Sequence, residues 1–313
     1  MSKYLVTGGA GFIGANLVQE LTKGGHEVRV VDNLSTGNFD NIKDLISDIE
    51  FICGDLSNYK IARQCVEGVE YILHNAAIPS VPRSVEDPIT TNESIVTSTV
   101  NLFKAAVEAK SVKRIVQAAS SSAYGDTPTL PKVEDMIPNP LSPYAVAKLT
   151  QEYYANAFYN MYGIEIFSLR YFNIFGPKQD PNSVYSAVIP KFISLMLRGQ
   201  RPVIFGDGLT SRDFTYIENV ISANLLASTC QWRGRAEVIN IGCGKNITLN
   251  DLVRNINQIL NTSIEPKYEN TRMGDVKNSL ADITKARKIL GYEVKIGVYE
   301  GLSKLINMIC NNR

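Results

Sequence analysis

Tyr144 and Lys148 are the residues whose types and spacing first suggest catalysis. They stand four positions apart in "SPYAVAKLTQEYY", residues 142–154. An ammonium one helical turn from a phenol stabilises the phenolate, which makes the phenol a usable general base. However, the composition of a 313-residue chain with 15 Tyr predicts roughly one such spacing by chance. The pair therefore needs support from the rest of the sequence.

Residues on both sides of the pair favour a site at the edge of a sheet. Ser142 and Pro143 suit the cap and first turn of a helix that presents Tyr144 and Lys148 on one face. Upstream, "SSSAYG" (120–125) follows an apolar run that reads as a strand. A serine hydroxyl there can share a hydrogen bond with a substrate oxygen that loses its proton. Taken alone, three serines are also typical of a polar turn.

The elements that must position these side chains alternate along the first half of the chain. Near-continuous apolar runs predict strands at 3–8, 27–32, 50–55, 69–77, 112–120 and 164–170, with helices clearest at 92–110 and 143–162. Strands that are apolar on both faces, with helices between them, predict an α/β fold with a Rossmann-like, doubly wound parallel sheet. Beyond 175–182, which is rich in Gly, Pro, Asn and Asp, the pattern weakens to helices at 187–198 and 249–260 and a strand at 237–242.

A glycine-rich turn follows the first predicted strand. In "VTGGAGFIG" (6–14) Gly8, Gly11 and Gly14 are three apart and open a helix. Such glycines let the main chain approach a diphosphate, which binds at the helix N-terminus. Asp32 ends the second predicted strand, where a carboxylate binds ribose hydroxyls and repels a 2′-phosphate, so NAD is expected and NADP is not. The alternative interpretation is that Asp32 is a helix N-cap or a turn residue and does not bind a cofactor.

These features predict two domains, an NAD-binding domain at 1–175 and a smaller C-terminal α/β substrate domain at 176–313. Some segments of the second are expected to return to the first. The polar residues of "DNLSTGN" (32–38) add Asn33, Ser35 and Thr36 as expected cofactor contacts, and Asp55 ends the third predicted strand. Asp55 is expected to hold the adenine end of the cofactor; an aspartate that merely closes a strand is the common alternative.

The composition does not point to a nucleic acid, a membrane or a metal as partner. Hydrophobic residues make up 44% of the chain, charged residues 20%, and the net charge is +1, which is ordinary for a globular protein. No apolar run reaches the ~18 residues typical of a membrane span. Five scattered cysteines without a C-x-x-C pair, beside only His26 and His74, argue against zinc. With a strand from residue 3 leaving no room for a signal peptide, we expect a reduced, cytoplasmic protein.

The order of these motifs resembles the extended short-chain dehydrogenase/reductase superfamily, which carries a G-x-x-G-x-x-G loop and a Ser, Tyr, Lys triad. The resemblance covers essentially the whole chain. It implies Ser120, Tyr144 and Lys148 as catalytic residues, with Ser121 and Ser122 as sugar contacts. The implied cofactor contacts are Gly8, Gly11, Phe12, Ile13, Gly14, Asp32, Asn33, Ser35, Thr36, Gly37, Asp55, Leu56, Ala76, Ala77, Tyr144, Lys148 and Phe172.

Within that superfamily the chain is most similar to UDP-hexose 4-epimerases, especially bacterial enzymes acting on UDP-N-acetylglucosamine. The likeness lies in "AAIPSVPRSVEDP" (76–88), "LRYFNIFGPKQDPN" (169–182), "GDGLTSRDFTYIENV" (206–220) and "GDVKNSLADITKA" (274–286). The Asp-Glu that dehydratases place after the triad hydroxyl, and the Glu of decarboxylases, are replaced here by Ser121 and Ser122. The resemblance implies substrate contacts from Ser80, Ser121, Ser122, Tyr144, Asn173, Ala187, Val188, Arg212, Arg272, Asp275 and Ser279.

The implied reaction is inversion at C4 of a UDP-hexose through a 4-keto intermediate, in a homodimer that keeps NAD bound. Ser279 stands where relatives restricted to plain hexoses have Tyr, so the N-acetylated and plain sugars are both expected. A UDP-glucuronate or N-acetylglucosaminuronate 4-epimerase, a net nucleotide-sugar oxidoreductase and an NAD-sensing regulator remain alternatives. One departure is Ile95, which stands in the place of a family Asn; Asn92 is one turn earlier.

Overall fold

Apolar runs become parallel strands in this protein, and the segments between them become helices. The computed structural model describes residues 1–180, 187–232, 236–271 and 277–311. In chain order the strands are β1 (Lys3–Thr7), β2 (Glu27–Asp32), β3 (Ile49–Cys53), β4 (Tyr71–His74), β5 (Arg114–Ser120), β6 (Glu165–Tyr171), β7 (Ile174–Phe175), β8 (Val203–Phe205), β9 (Ser211–Arg212), β10 (Thr215–Tyr216), β11 (Glu237–Ile241), β12 (Ile247–Thr248) and β13 (Lys267–Glu269).

Helices cover both faces of the sheet that these strands build. In chain order they are α1 (Phe12–Lys23), α2 (Tyr59–Val66), α3 (Val81–Glu86), α4 (Pro88–Asn92), α5 (Ser98–Ala109), α6 (Pro143–Tyr162), α7 (Val188–Met196), α8 (Ile217–Thr229), α9 (Leu249–Leu260), α10 (Thr284–Leu290) and α11 (Val298–Asn311). Within the described residues, none of them is long and apolar enough to cross a bilayer.

The described strands form a central seven-stranded sheet with the order β11-β6-β5-β4-β1-β2-β3. Every neighbouring pair in it is parallel. The predicted Rossmann-like, doubly wound fold is therefore confirmed. The chain reverses its direction of winding between β1 and β4, and in such sheets ligands bind outside the carboxyl ends of the strands at this point. The seventh strand, β11, comes from the second half of the chain.

Two rows of side chains show why the strands are apolar at successive positions. Residues in register on neighbouring strands lie on the same face, and successive rows alternate between the two faces, because successive side chains of a strand point to opposite sides. One row packs under α2, α5 and α6 and consists of Leu5, Ile72, Ile115 and Ile166; the next position forms the opposite row, Val6, Leu73, Val116 and Phe167. All of these side chains are buried. The sheet is thus covered on both faces.

Two helices of the first half differ in how well the sequence anticipated them. Helix α6 has the predicted bounds, because Ser142 accepts the N–H of Ala145 at its start and Gly163, with a φ of +71°, ends it. The helix predicted at 92–110 begins earlier, at Pro88, where Asp87 accepts the N–H of Thr90. Between α4 and α5 the helix widens into a π-helical turn at Glu93–Thr97.

The second half of the chain adds short strand pairs beside the carboxyl edge of the central sheet. These are β10 with β7, β12 with β9, and β13 with β8. Helices α7, α8, α9, α10 and α11 contribute buried apolar side chains to the same core as α1. The segments of the second half are therefore continuous with the main core.

Candidate active site

The turn between β1 and α1 brings the three spaced glycines together. Gly8 has a φ of +65°, which favours glycine. A Cβ on Gly14 would lie 2.1 Å from the carbonyl oxygen of Gly8, so only glycine lets α1 begin this close to the turn. Gly11 caps α1, Phe12 and Ile13 begin it, and no acidic residue lies in its first turn. Free N–H groups and the positive end of the helix dipole suit a diphosphate at this place.

Asp32, at the end of β2, directs its carboxylate toward this turn. One oxygen accepts the N–H of Ala10 at 2.9 Å, and the other accepts the N–H of Leu34 at 2.8 Å. A Cβ on Gly37 would lie 2.8 Å from both carboxylate oxygens, so glycine keeps the carboxylate accessible from that side. This cradle fits the ribose hydroxyls of NAD and disfavours the 2′-phosphate of NADP.

The other predicted cofactor contacts lie at the same edge of the sheet. Asn33 donates to Asp55 at 2.7 Å, which joins the loops after β2 and β3. The N–H of Ala76 donates to Thr7 Oγ1 at 3.1 Å, and a Cβ on Gly8 would lie 2.9 Å from the Ala76 main chain. The remaining positions range from the exposed Ser35 and Thr36 through the half-buried Ala77 to the buried Leu56 and Phe172.

Ser120 and Tyr144 meet at the carboxyl end of β5. Ser120 is the last residue of that strand, and Tyr144 lies in the first turn of α6. Desolvation by burial raises the pKa of the Tyr144 hydroxyl, and a hydrogen bond with Ser120 opposes this rise. Ser122 donates to Ser120 Oγ at 2.8 Å, while Ser121 is half-buried beside them. The hydroxyl pair is therefore placed for proton exchange with a substrate oxygen.

Lys148 lies one helical turn after Tyr144 and is only 4% exposed. Its ammonium donates to the carbonyl oxygen of Ala118 at 2.7 Å. Burial lowers the pKa of Lys148 to about 7, against the opposing attraction of the Glu152 carboxylate. A buried amine with a lowered pKa, one helical turn from a phenol, is typical of a catalytic centre.

Glu152 lies one further turn along the same face of α6 and is itself paired. Its two carboxylate oxygens accept from Arg170 Nε at 2.9 Å and from the Arg170 terminal nitrogen at 2.7 Å. Both side chains are buried, and the guanidinium carbon of Arg170 lies 4.6 Å from the centre of the Tyr124 ring. A bidentate pair of this kind holds α6 firmly against β6.

Asn173 and Ser279 are brought together although 106 residues separate them along the chain. Asn173 follows β6 with a φ of +36° and donates to Ser279 Oγ at 3.4 Å and to the carbonyl oxygen of Asp213 at 3.1 Å. Arg212 lies in β9 and donates to the carbonyl oxygens of Ser211 and Lys277. Three predicted substrate contacts thus lie on segments that are bonded to one another.

The remaining predicted substrate contacts lie at the starts of helices or outside the described residues. Ser80 caps α3 by accepting the N–H of Arg83 at 3.1 Å. Ala187 caps α7, and Val188 begins it. Arg272 and Asp275 fall outside the described residues. Ile95, which the resemblance sets in the place of a family Asn, is buried in the π-helical turn, and Asn92, one turn earlier, is exposed.

A polar row across the sheet was missed by the sequence analysis. Thr7, His74, Gln117 and Ser168 are neighbours in register on β1, β4, β5 and β6, and all four are buried. Thr7 and His74 end their strands, whereas Gln117 and Ser168 lie at the centres of theirs. Each directly follows a buried apolar residue, and a polar residue at such a position was the signal that could have found them. From the sequence, His74 counts only as one of two histidines, which are too few to favour a zinc site.

Asp213 was also missed, although it joins three segments of the second half. Its carboxylate accepts the N–H groups of Cys243, Gly244 and Ala281 at 2.8 to 3.1 Å. Burial raises the pKa of Asp213 to about 6, against these hydrogen bonds. Its carbonyl oxygen in turn accepts from Asn173, so Asp213 supports the segment that follows β6.

Known proteins resemble this chain over nearly its whole length. The NAD dependent epimerase/dehydratase family matches residues 4–242. A UDP-glucose 4-epimerase of Mycolicibacterium smegmatis is 35% identical over 98% of this chain and 98% of its own. The structure of a UDP-N-acetylglucosamine 4-epimerase from Methanobrevibacter ruminantium M1, in complex with UDP-N-acetylmuramic acid, is 36% identical with a TM-score of 0.94, covering 100% of this chain and 99% of its own.

A third relative carries both a nucleotide sugar and NAD. It is a UDP-glucuronic acid 4-epimerase from Bacillus cereus in complex with UDP-glucuronic acid and NAD, 31% identical, with a TM-score of 0.89 and coverage of 99% of this chain and 100% of that one. The two solved structures share the fold of this chain, and the three relatives are named for three different UDP-sugars. The chain belongs to the NAD dependent epimerase/dehydratase family.

Proposed function

We propose that this protein is an NAD-dependent UDP-sugar 4-epimerase, an isomerase that inverts C4 of the sugar. The observation that carries this proposal is the position of Ser120, Tyr144 and Lys148 at the carboxyl edge of the sheet. The glycine turn and the Asp32 carboxylate lie at the same edge. Membership of the family and the names of the relatives support the same function.

The proposed binding roles divide between the two halves of the chain. Residues 1–175 hold NAD, and residues 176–313 supply most contacts to the nucleotide sugar. Asn173 and Arg212 bind the diphosphate, because an amide and a guanidinium both donate to paired phosphate oxygens. We assign Arg272 and Asp275 to the uridine end, Ala187 and Val188 to the uracil, and Ser80, Ser121 and Ser122 to the sugar.

The proposed mechanism uses Tyr144 as the base that removes the proton from the C4 hydroxyl. Ser120 shares a hydrogen bond with the same oxygen, and the charge of Lys148 favours the phenolate. NAD, held by the glycine turn and the Asp32 carboxylate, would supply reversible hydride transfer at C4. The 4-keto sugar turns about its diphosphate linkage and presents its other face, and Tyr144 then returns the proton. The cycle leaves no net oxidation.

The test of this function is a panel of UDP-glucose, UDP-N-acetylglucosamine and UDP-glucuronate, with the products resolved by NMR. We expect conversion of at least one sugar to its C4 epimer until the two epimers reach equilibrium. NADH absorbance should not accumulate during the conversion. Accumulation of NADH in step with substrate loss would show a net oxidoreductase instead, and a panel without conversion would contradict the proposal.

The proposed breadth of the substrate range depends on Ser279. Its small side chain lies beside Asn173, and we infer that it leaves room for a C2 N-acetyl group as the ketose turns. Ser279→Tyr is therefore expected to lower kcat/KM for UDP-N-acetylglucosamine by about tenfold or more, the scale of a lost fit in a pocket, while UDP-glucose is spared. Steady-state kinetics on both sugars measure this. The exposed Ser263→Tyr is the control, and equal losses for both sugars would contradict the role of Ser279.

We also propose a homodimer, supported by an exposed apolar face on α3, α4 and α6. The face comprises Val81, Val85, Ile89, Val146 and Tyr153, all of them exposed, on helices that contact one another. A cluster of exposed apolar side chains is typical of a protein–protein interface. Light scattering is expected to give twice the mass of the chain, and Val85→Asp is expected to shift the protein toward monomer. A wild-type monomer at micromolar concentration would contradict this proposal.

A cytoplasmic location is part of the proposal. All five cysteines have free thiols, which is typical of a reducing compartment. Labelling with a thiol reagent under native and denaturing conditions would detect any disulfide in protein isolated from its own cells, and a disulfide would contradict this location.

A further inference from the structure

The polar row of Thr7, His74, Gln117 and Ser168 lies on the face of the sheet that α5 and α6 cover. It stands two positions after the apolar row that begins with Leu5, and side chains two positions apart in a strand share one face. His74 is 1% exposed. Its two ring nitrogens bond in opposite directions, Nδ1 to Thr7 in the sheet and Nε2 to Thr99 on α5.

The Thr7 hydroxyl determines which ring nitrogen carries the proton. Its oxygen accepts the N–H groups of Asn75 and Ala76, each at 3.1 Å. A hydroxyl oxygen has two acceptor sites, so its own proton remains for His74 Nδ1, which lies 2.7 Å away. Nδ1 must therefore accept, and in a neutral ring the proton lies on Nε2.

The opposite side of the ring agrees with this assignment. Thr99 donates its hydroxyl proton to the carbonyl oxygen of Ile95 at 2.6 Å. It therefore accepts from His74 Nε2 at 3.0 Å, as it also accepts from the Gln151 amide. Gln151 lies on α6, three residues after Lys148 and next to Glu152. Both sides of the ring thus predict the same tautomer.

A charged ring would break this arrangement. With both nitrogens donating, Nδ1 would face a Thr7 oxygen whose acceptor sites are already filled. Burial and, as a smaller cause, the nearby Lys148 ammonium together lower the pKa of His74 to about 3. The filled acceptor sites of Thr7 and this lowered pKa both indicate a neutral ring near pH 7.

We propose that His74 is a positioning residue for the epimerase reaction, a neutral ring protonated on Nε2 that holds two parts of the active site in register. One part is the segment after β4, where Asn75 and Ala76 lie against the glycine turn. The other is helix α6, which carries Tyr144 and Lys148. This inference rests on the proposed function for its consequence in catalysis, but the state of the ring itself does not depend on any substrate.

The first experiment reads the tautomer in the wild-type protein. The chain has only two histidines, so protein labelled with ¹⁵N-histidine gives two ring systems, and His26→Gln assigns them. His74 is expected to show a protonated Nε2 and an unprotonated Nδ1, unchanged between pH 5 and pH 9. A proton on Nδ1, or a ring that titrates at the ordinary histidine pKa, would overturn the proposal.

The second experiment separates the two sides of the ring. The amide of His74→Asn reaches the place of Nδ1 and retains an acceptor for Thr7, while His74→Gln reaches the place of Nε2 and retains a donor for Thr99. Each variant is expected to lower kcat roughly tenfold, because small displacements of reacting groups reduce turnover strongly, with KM for the UDP-sugar nearly unchanged. Wild-type kcat in both variants, with normal melting and NAD content, would overturn the proposal.

A double variant tests the coupling to Thr7. Both Thr7→Val and His74→Gln remove the hydrogen bond between the two side chains, and Thr7→Val also removes the acceptor of the Asn75 and Ala76 N–H groups. The double variant is therefore expected to lose no more kcat than Thr7→Val alone. Fully additive losses would contradict the link. If the variants fail to fold, the tautomer measured in the wild-type protein still tests the proposal. A wild-type protein without epimerase activity would contradict the proposed function, and the tautomer would then still be measured separately.

Discussion

Tyr144→Phe is expected to lower kcat by about 10²-fold or more, the range for loss of a general acid–base group. The substitution removes the hydroxyl that bonds with Ser120 and retains the ring. The glycine turn and Asp32 do not depend on this hydroxyl, so bound NAD should be retained. Epimerisation of the preferred UDP-sugar measures the loss of turnover, and mass spectrometry of denatured protein measures the bound cofactor.

A matched control for Tyr144→Phe lies at the other end of the same helix. Tyr162 ends α6 with an exposed side chain, and the centre of its ring lies 5.2 Å from the centre of the Phe158 ring. Tyr162→Phe keeps that contact and is expected to turn over like the wild type. Near-normal kcat in Tyr144→Phe would mean that another group removes the C4 proton.

Glu152→Gln is expected to destabilise the protein by about 3–5 kcal/mol, the range for breaking a buried ion pair by removing one partner. The amide would leave the buried Arg170 guanidinium without a counter-charge, and both side chains are at least 95% buried. The substitution also removes the attraction that holds up the pKa of Lys148. The pKa of Lys148 should therefore fall further below its ordinary range. Denaturant unfolding measures the first effect, and the pH profile of kcat measures the second.

An exposed ion pair in the same chain provides the comparison for Glu152→Gln. Lys304 bonds Glu218 at 3.1 Å with both side chains in contact with solvent. Glu218→Gln is expected to change the free energy of unfolding by less than about 1 kcal/mol. If the two substitutions cost the same, the buried pair would not stabilise α6 against β6 as described above.

Much of the fold and one element of the site follow from the sequence itself. The strands of the central sheet are local apolar runs, and α6 has its bounds from Ser142 and Gly163. The glycine turn is equally local, because the constraint at Gly14 comes from Gly8, six residues away. Short-range geometry of this kind depends on few neighbours, so residue types and spacing are enough to predict it. The limit of such prediction shows at the helix predicted to begin at residue 92. This helix begins at Pro88, because Asp87 caps it there.

Tertiary structure decided which distant side chains meet. The chain alone cannot place Ser279 beside Asn173, or Arg170 against Glu152, because these contacts require the register of strands and helices that packing establishes. The same holds for His74, because a polar residue in an apolar strand does not by itself indicate its partners. Its role depends on Thr7 and Thr99, which approach from other elements. The sequence by itself determined the class of chemistry, because turns and helix faces are local features. The arrangement that orients the reacting groups depends on the packing of β1, β4, α5 and α6, which only the tertiary structure decides.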